Sequence, residues 1–147
     1  MKYAPLLAAA LLLGACETLP PPAPPPTADT MLEGELDLGN WRNASEAATL
    51  RAFERNVSTR YGAGLAIAAA TADLSNAEFN CGAAPPQDAQ GRGDPPAQVC
   101  RRTQTANNCT HTWQVHLFDA NADGRVARTR GLYDRRCGGD GLLGGPG

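Results

Sequence analysis

The chain has 147 residues, with 13 Lys and Arg against 15 Asp and Glu, a formal charge of −2, 42% hydrophobic residues, 16 Gly, 12 Pro and five Cys. That length accommodates one domain rather than two, and a near-neutral balance with no long basic tract excludes a general nucleic-acid binder. From Trp41 to Cys137 only 17 of 97 residues are Val, Ile, Leu, Phe, Trp or Tyr, a core too small for a large enzyme with a deep cleft.

Met1-Lys2-Tyr3 supplies a short positive region, Ala4 to Leu13 is apolar apart from Pro5, and Leu13-Gly14-Ala15-Cys16 closes the segment. The apolar run is too short to span a bilayer core of about 30 Å as a stable helix, which reads as a cleaved signal rather than an anchor helix. Charge, apolar run and L-G-A-C in this order resemble the lipobox of bacterial lipoproteins. The resemblance implies cleavage before Cys16, which becomes the first residue and carries the acyl chains. Several chains on one Cys hold a protein stably where a single chain is marginal. Glu17 is not the Asp associated with inner-membrane retention in that family, so the resemblance favours the outer membrane, facing the periplasm. The signal is thus residues 1–15. Residues 16–30 follow as lipidated Cys and tether, because Pro20-Pro21-Pro22-Ala23-Pro24-Pro25-Pro26 supports neither helix nor sheet. Fully extended, residues 17 to 30 reach about 40 Å and hold the domain off the lipid surface.

The folded domain is expected over 31–137. Residues 31–40 are acidic and broken by Gly, a short strand or a loop. Asn43 with Glu46 three residues on fits a capping box, with Ser45 as the alternative cap. Leu50, Phe53, Val57 and Tyr61 then recur at helical spacing, and Gly62 stands at C′. A second, Ala-rich helix is expected from Leu65 to Leu74, closed by Ser75-Asn76. Its thin face allows close approach to a sheet or to the first helix. Strands follow at 78–81 and 98–103, separated by a loop rich in Pro and Gly. The clearest strand is 109–119, where Cys109, His111, Trp113, Val115 and Leu117 alternate with Thr110, Thr112, Gln114 and His116. Asn121-Ala122-Asp123-Gly124 turns the chain into a last strand at 125–137. The expected fold class is α+β: two N-terminal helices packed on a three- to four-stranded antiparallel meander with two disulfides. Residues 138–147 form a Gly-rich tail carrying Leu142-Leu143.

Export makes Cys81, Cys100, Cys109 and Cys137 a disulfide framework. No CxxC or HxxxH spacing offers zinc a site, and no cofactor is expected. Cys109 and Cys137 stand almost equidistant from the 121–124 turn. That favours 109–137 with 81–100, while 100–109 with 81–137 remains open because 100 and 109 also flank a short hairpin.

Asp119, Asn121 and Asp123, with Gly124 next, match the start of an EF-hand calcium loop, in which alternate oxygens converge on one hard cation. Arg130 stands where that loop needs a bidentate Glu, so the competing reading is an Asx-rich turn. His111 and His116 fall on opposite faces of one strand and cannot chelate together; His111 reads as a core histidine and His116 as solvent-facing. No G-x-S-x-G elbow or free thiol accompanies them, and the chain reads as a non-enzyme. Charge is uneven: residues 17–80 hold nine acidic and four basic side chains, residues 101–137 seven Arg and three Asp. Arg128, Arg130 and Arg136 share one strand face, suited to carboxylate or phosphate groups. Pairing with the acidic helices is the competing reading.

Two helices and a meander behind a lipobox and a tether, with a Trp-bearing strand before a D-G turn, resemble the small outer-membrane assembly lipoproteins with a β-lactamase-inhibitor-like fold. That resemblance implies a non-enzymatic module binding an envelope protein through its sheet face. Peptidoglycan or lipopolysaccharide, held by the same arginines, is the alternative, and weak calcium binding a minor one.

Overall fold

Apolar residues at helical spacing fold as α1 (Glu46–Arg60). Its cap is Ser45 rather than Asn43: the Ser45 hydroxyl accepts from the Ala48 N–H at 3.3 Å. Asn43 belongs to the preceding turn, where its N–H and that of Ala44 both donate to the Asn40 carbonyl. The buried stripe is Thr49, Phe53 and Val57 at a spacing of four, continued by the C-cap Tyr61. Leu50 lies half-buried at its flank.

The structure, a computed structural model, describes residues 32–85 and 93–138. The signal, Cys16, the tether, the tip of the Pro-rich loop and the tail beyond Gly138 lie outside the described residues. Within them, two helices precede a four-stranded antiparallel sheet of order β1-β2-β3-β4, with strands β1 (Asn80–Gly82), β2 (Gln98–Ala106), β3 (Cys109–Phe118) and β4 (Arg128–Cys137). This is an α+β fold. The helices are not N-terminal, however: an irregular strap, residues 32–44, comes first. It follows α1 in the opposite direction, its Asp37 carbonyl accepting from Asn56 and its Leu32, Glu33 and Gly34 carbonyls from Arg60. Leu36 and Trp41 leave it for the core.

The second helix, α2 (Ile67–Asn76), starts two residues later than its apolar pattern predicts and runs through Ser75-Asn76. The reason is tertiary. Residues 64–67 pair with residues 124–126: Gly64 N–H donates to the Val126 carbonyl, Val126 N–H to the Leu65 carbonyl, and Ile67 N–H to the Gly124 carbonyl. That exchange holds residues 63–65 in a turn and Ala66 extended, so the helix starts only at Ile67. It also explains why β4 begins at Arg128 and not at 125. Val126 goes into the core at 2% exposure instead of extending the strand. Ala69, Ala70 and Leu74 are the buried residues of α2, while Leu65 and Ile67 are half-buried.

β1 is shorter and later than expected, because Glu78 adopts φ 65° in the turn after α2. β2 runs three residues further, to Ala106, where Asn107 and Asn108 at φ 50° and 60° make a two-residue turn into β3. Two left-handed residues match the twist of a hairpin, and Asn tolerates them. β3 alternates as predicted. Its odd residues from His111 to Leu117 are buried and its even ones to His116 are not, although Phe118 at its end is also covered. Cys81 faces Cys100 and Cys109 faces Cys137 in register, and both pairs are disulfide-bonded. Bridges closing separations of 19 and 28 residues contribute about 3–4 kcal/mol each through the unfolded chain.

Both helices cover one sheet face, α1 over β4 and α2 over β1 and β2. At Gly131 a Cβ would stand 3.0 Å from Glu54 Cα and 3.2 Å from the Phe53 ring. Only glycine lets α1 sit so closely on β4.

Candidate functional site: the open sheet face

Alternation on three paired strands sends one residue in two away from the helices. From β2 this face receives Val99, Arg101, Thr103 and Thr105; from β3 Thr110, Thr112, Gln114 and His116; from β4 Arg128, Arg130, Leu132, Asp134 and Arg136. The central strand contributes a floor of short polar groups and its neighbours contribute longer arginines. The depression between them has a volume of about 320 Å³ and is lined by Arg101, Thr110, Thr112, Gln114, Asp134 and Arg136.

Arg128, Arg130 and Arg136 therefore do share a face, and it points away from the acidic helices, so these side chains do not pair with them. Their surroundings differ. Arg136 Nε donates to Asp134 at 3.0 Å in an exposed ion pair, and Arg128 lies 3.5 Å over the Phe118 ring. Arg130 faces His116 directly across β3. Sequence reasoning missed Arg101, which the β2–β3 register sets opposite Gln114, one diagonal step from His116. Alternation along 98–106 was the available signal, but only the register aligns it with β4. His116 is on the open, solvent-facing side as expected, half-buried among its neighbours. Burial first, then the charges of Arg130 and Arg101, hold its imidazole below the ordinary 6.5.

The opposite face of β3 carries an aromatic cluster. His111 is 4% exposed, and its Nδ1 is 2.7 Å from the Tyr133 hydroxyl. Trp41 lies 4.6 Å from the His111 ring and 5.4 Å from Trp113. Burial lowers the His111 imidazole, and nearby Arg135 adds to this against the opposing effect of the Ala106 carbonyl. Below about pH 6.5 the unfolded chain then binds more protons than the folded domain. Stability is accordingly complete above that pH and falls as pH descends, until the folded imidazole itself is protonated. The urea midpoint is expected to drop between about pH 7.5 and 5, and His111→Gln to flatten the drop. An equal drop in both proteins would assign the effect elsewhere.

The 119–124 loop is organised by its own side chains. The Asp119 carboxylate accepts from the Asp123 and Gly124 N–H groups at 3.1 and 2.8 Å, and Asp123 accepts from the Arg125 N–H at 2.9 Å. The Gly124 N–H is the main cause holding the Asp119 carboxyl below its ordinary range. The Asn121 and Ala122 N–H groups act on Asp119 in the same direction. Among the described residues no group of three or more His, Cys, Asp and Glu side chains is placed to hold a metal.

A second polar constellation joins the helices. Arg60 donates through Nε and Nη2 to Asp73 at 2.7 and 2.8 Å, and the Tyr61 hydroxyl donates to Asp73 at 2.7 Å. A cleft of about 540 Å³ opens beside it, bordered by Glu35, Glu78 and Arg102. Arg102 is committed to Glu78 and to the Ala77 carbonyl. Arg60 thus fastens the strap and α2 to α1, and Arg102 fastens the end of α2 to the sheet.

Among the described residues no helix is long and apolar enough to cross a membrane. Compared with known proteins, the chain matches no family model, no curated protein sequence and no solved structure.

Proposed function

We propose that this chain is a lipid-anchored module of the bacterial cell envelope that binds an acidic protein partner and performs no chemistry itself. The observation that carries the reading is the open sheet face, with four guanidiniums against one carboxylate. Apolar Phe118, Leu132 and Val99 lie among them. Cations interleaved with apolar side chains and a hydrogen-bonding floor suit a protein surface. Two disulfides in so small a core accord with an oxidising compartment. The lipobox-like segment at Cys16 supports a lipid anchor, on the outer membrane facing the periplasm. Two helices before an antiparallel meander also follow the element order of the small assembly lipoproteins. The depression over β3, polar throughout, favours a second reading in which the ligand is an anionic glycan or lipid head group of the envelope.

In-cell photo-crosslinking from position 132, on the same face as Arg130 and leaving that arginine in place, followed by mass spectrometry, tests the assignment. An envelope protein crosslinked through an acidic segment is expected. Arg128→Glu with Arg130→Glu should abolish the capture while circular dichroism stays unchanged. Capture of glycan or lipid alone would transfer the assignment to the second reading, and capture unaffected by the charge reversal would remove the sheet face from it.

A further inference from the structure

Arg101, His116 and Arg130 belong to three neighbouring strands and converge on one patch of the open face. Arg130 is directly opposite His116, a separation of about 5 Å between Cβ atoms, and Arg101 is on the diagonal at about 7 Å. The backbones of β2 and β4 are roughly 10 Å apart across β3, a gap that two arginine side chains bridge from either side. The floor below them is Gln114 and His116. Neither guanidinium has an ion pair or hydrogen-bond partner among the described residues. On the same face Asp134 is already taken by Arg136, and at the end of β3 the Asp119 carboxylate is bound to its own loop. The patch is thus a cationic pair over a neutral imidazole, with no anion of its own.

Resting on the reading of this face as a partner-binding surface, we propose that Arg101, His116 and Arg130 form a carboxylate-recognition centre that takes an Asp or Glu side chain from an acidic segment of the partner protein. Two guanidiniums approaching from opposite sides supply charge-assisted donors to both carboxylate oxygens. Gln114, opposite Arg101, adds a side-chain amide donor at the floor. Half-buried Val99 opposite His116 and Leu132 opposite Gln114 border the centre with apolar surface, which favours a peptide over an isolated inorganic anion.

The centre couples binding to a proton. The charged and titratable groups facing His116 are Arg101 from β2 and Arg130 and Arg128 from β4, while its own strand contributes uncharged Gln114 and Phe118. Burial, then the charges of Arg130 and Arg101, disfavour the imidazolium in the free protein. A carboxylate seated between Arg101 and Arg130 reverses that balance, so binding takes up a proton and tightens as pH falls.

The experiment titrates a synthetic Glu-rich peptide into the full-length chain and follows the His116 ring by NMR at about pH 7.5 and about pH 5.5, where Glu is still ionised. Affinity is expected to be higher at the lower pH and to weaken with salt. Arg101→Gln and Arg130→Gln should each cost about tenfold. His116→Asn should retain binding at the higher pH and lose the gain at the lower one. Equal affinity at both pH values in the unaltered protein overturns the proposal, as does undiminished binding by the doubly substituted Arg101→Gln, Arg130→Gln chain. Inorganic phosphate binding as tightly as the peptide would make this a small-anion site, and self-association abolished by Arg101→Gln would make the occupant a second copy. Either outcome overturns it. Crosslinking from position 132 that still identifies an acidic partner would then leave the binding module standing while the carboxylate centre falls.

Discussion

Trp113→Ala is expected to remove about 3–5 kcal/mol of stability, a large part of the roughly 5–15 kcal/mol of a domain this size. Trp113 is fully buried at the middle of β3, with Trp41 at 5.4 Å and Tyr133 at 5.3 Å between ring centroids. Its indole N–H donates to the Leu38 carbonyl at 3.2 Å. One side chain therefore joins the sheet to the strap by packing and by a hydrogen bond, and the alanine variant loses both. Trp113→Phe separates them. Much of the packing survives, the Leu38 carbonyl loses its donor, and the cost falls to about 1–3 kcal/mol. Urea denaturation of the two variants measures the difference. Equal losses would show that the strap is held through the hydrogen bond rather than the ring.

Asp73→Ala should cost about 3 kcal/mol or more, because it leaves the Arg60 guanidinium, only 13% exposed, without a counter-charge. Arg60 also holds three strap carbonyls, so loosening should spread to residues 32–34, with faster amide exchange in the strap than in β3. Asp73→Asn keeps the shape and part of the hydrogen bonding and should lie between. Burial alone would raise the Asp73 carboxyl. The hydrogen bonds from Arg60 and Tyr61, with the Arg60 charge, outweigh it and hold the group below the ordinary 3.8. A depressed carboxyl contributes stability that is complete above its unfolded value and lost as pH falls through its folded value. The unaltered domain should therefore lose this contribution only below about pH 3.8, and Asp73→Ala should show no such loss there. For the Tyr61 hydroxyl, burial and then Asp73 push ionisation well above the ordinary 10, so it remains a donor at neutral pH.

Patterns of short range were legible in the chain. The period-two alternation of 109–117 identified β3 and its inward face, because a half-buried strand needs no information beyond its own residues. Helical spacing located α1 for the same reason, although its first turn depended on which of Asn43 and Ser45 caps it. That choice was made by the Asn40 carbonyl, which takes the N–H groups of Asn43 and Ala44. The hairpin symmetry of Cys109 and Cys137 favoured the observed pairing because antiparallel register follows from distance to the turn.

Contacts between distant segments decided the rest. The late starts of α2 and β4 have one cause, the exchange of hydrogen bonds between residues 64–67 and 124–126, which neither segment reveals alone. The Asp73–Arg60–Tyr61 network joins side chains from two helices to strap carbonyls, and no local spacing announces it. At the candidate site, the amino-acid sequence by itself determined that Arg128, Arg130 and Arg136 share a strand face. Alternation within one strand is a local consequence of the extended backbone. Only the tertiary structure added Arg101 and His116 to Arg130, because register across three strands is set by turn geometry and by which face the core claims.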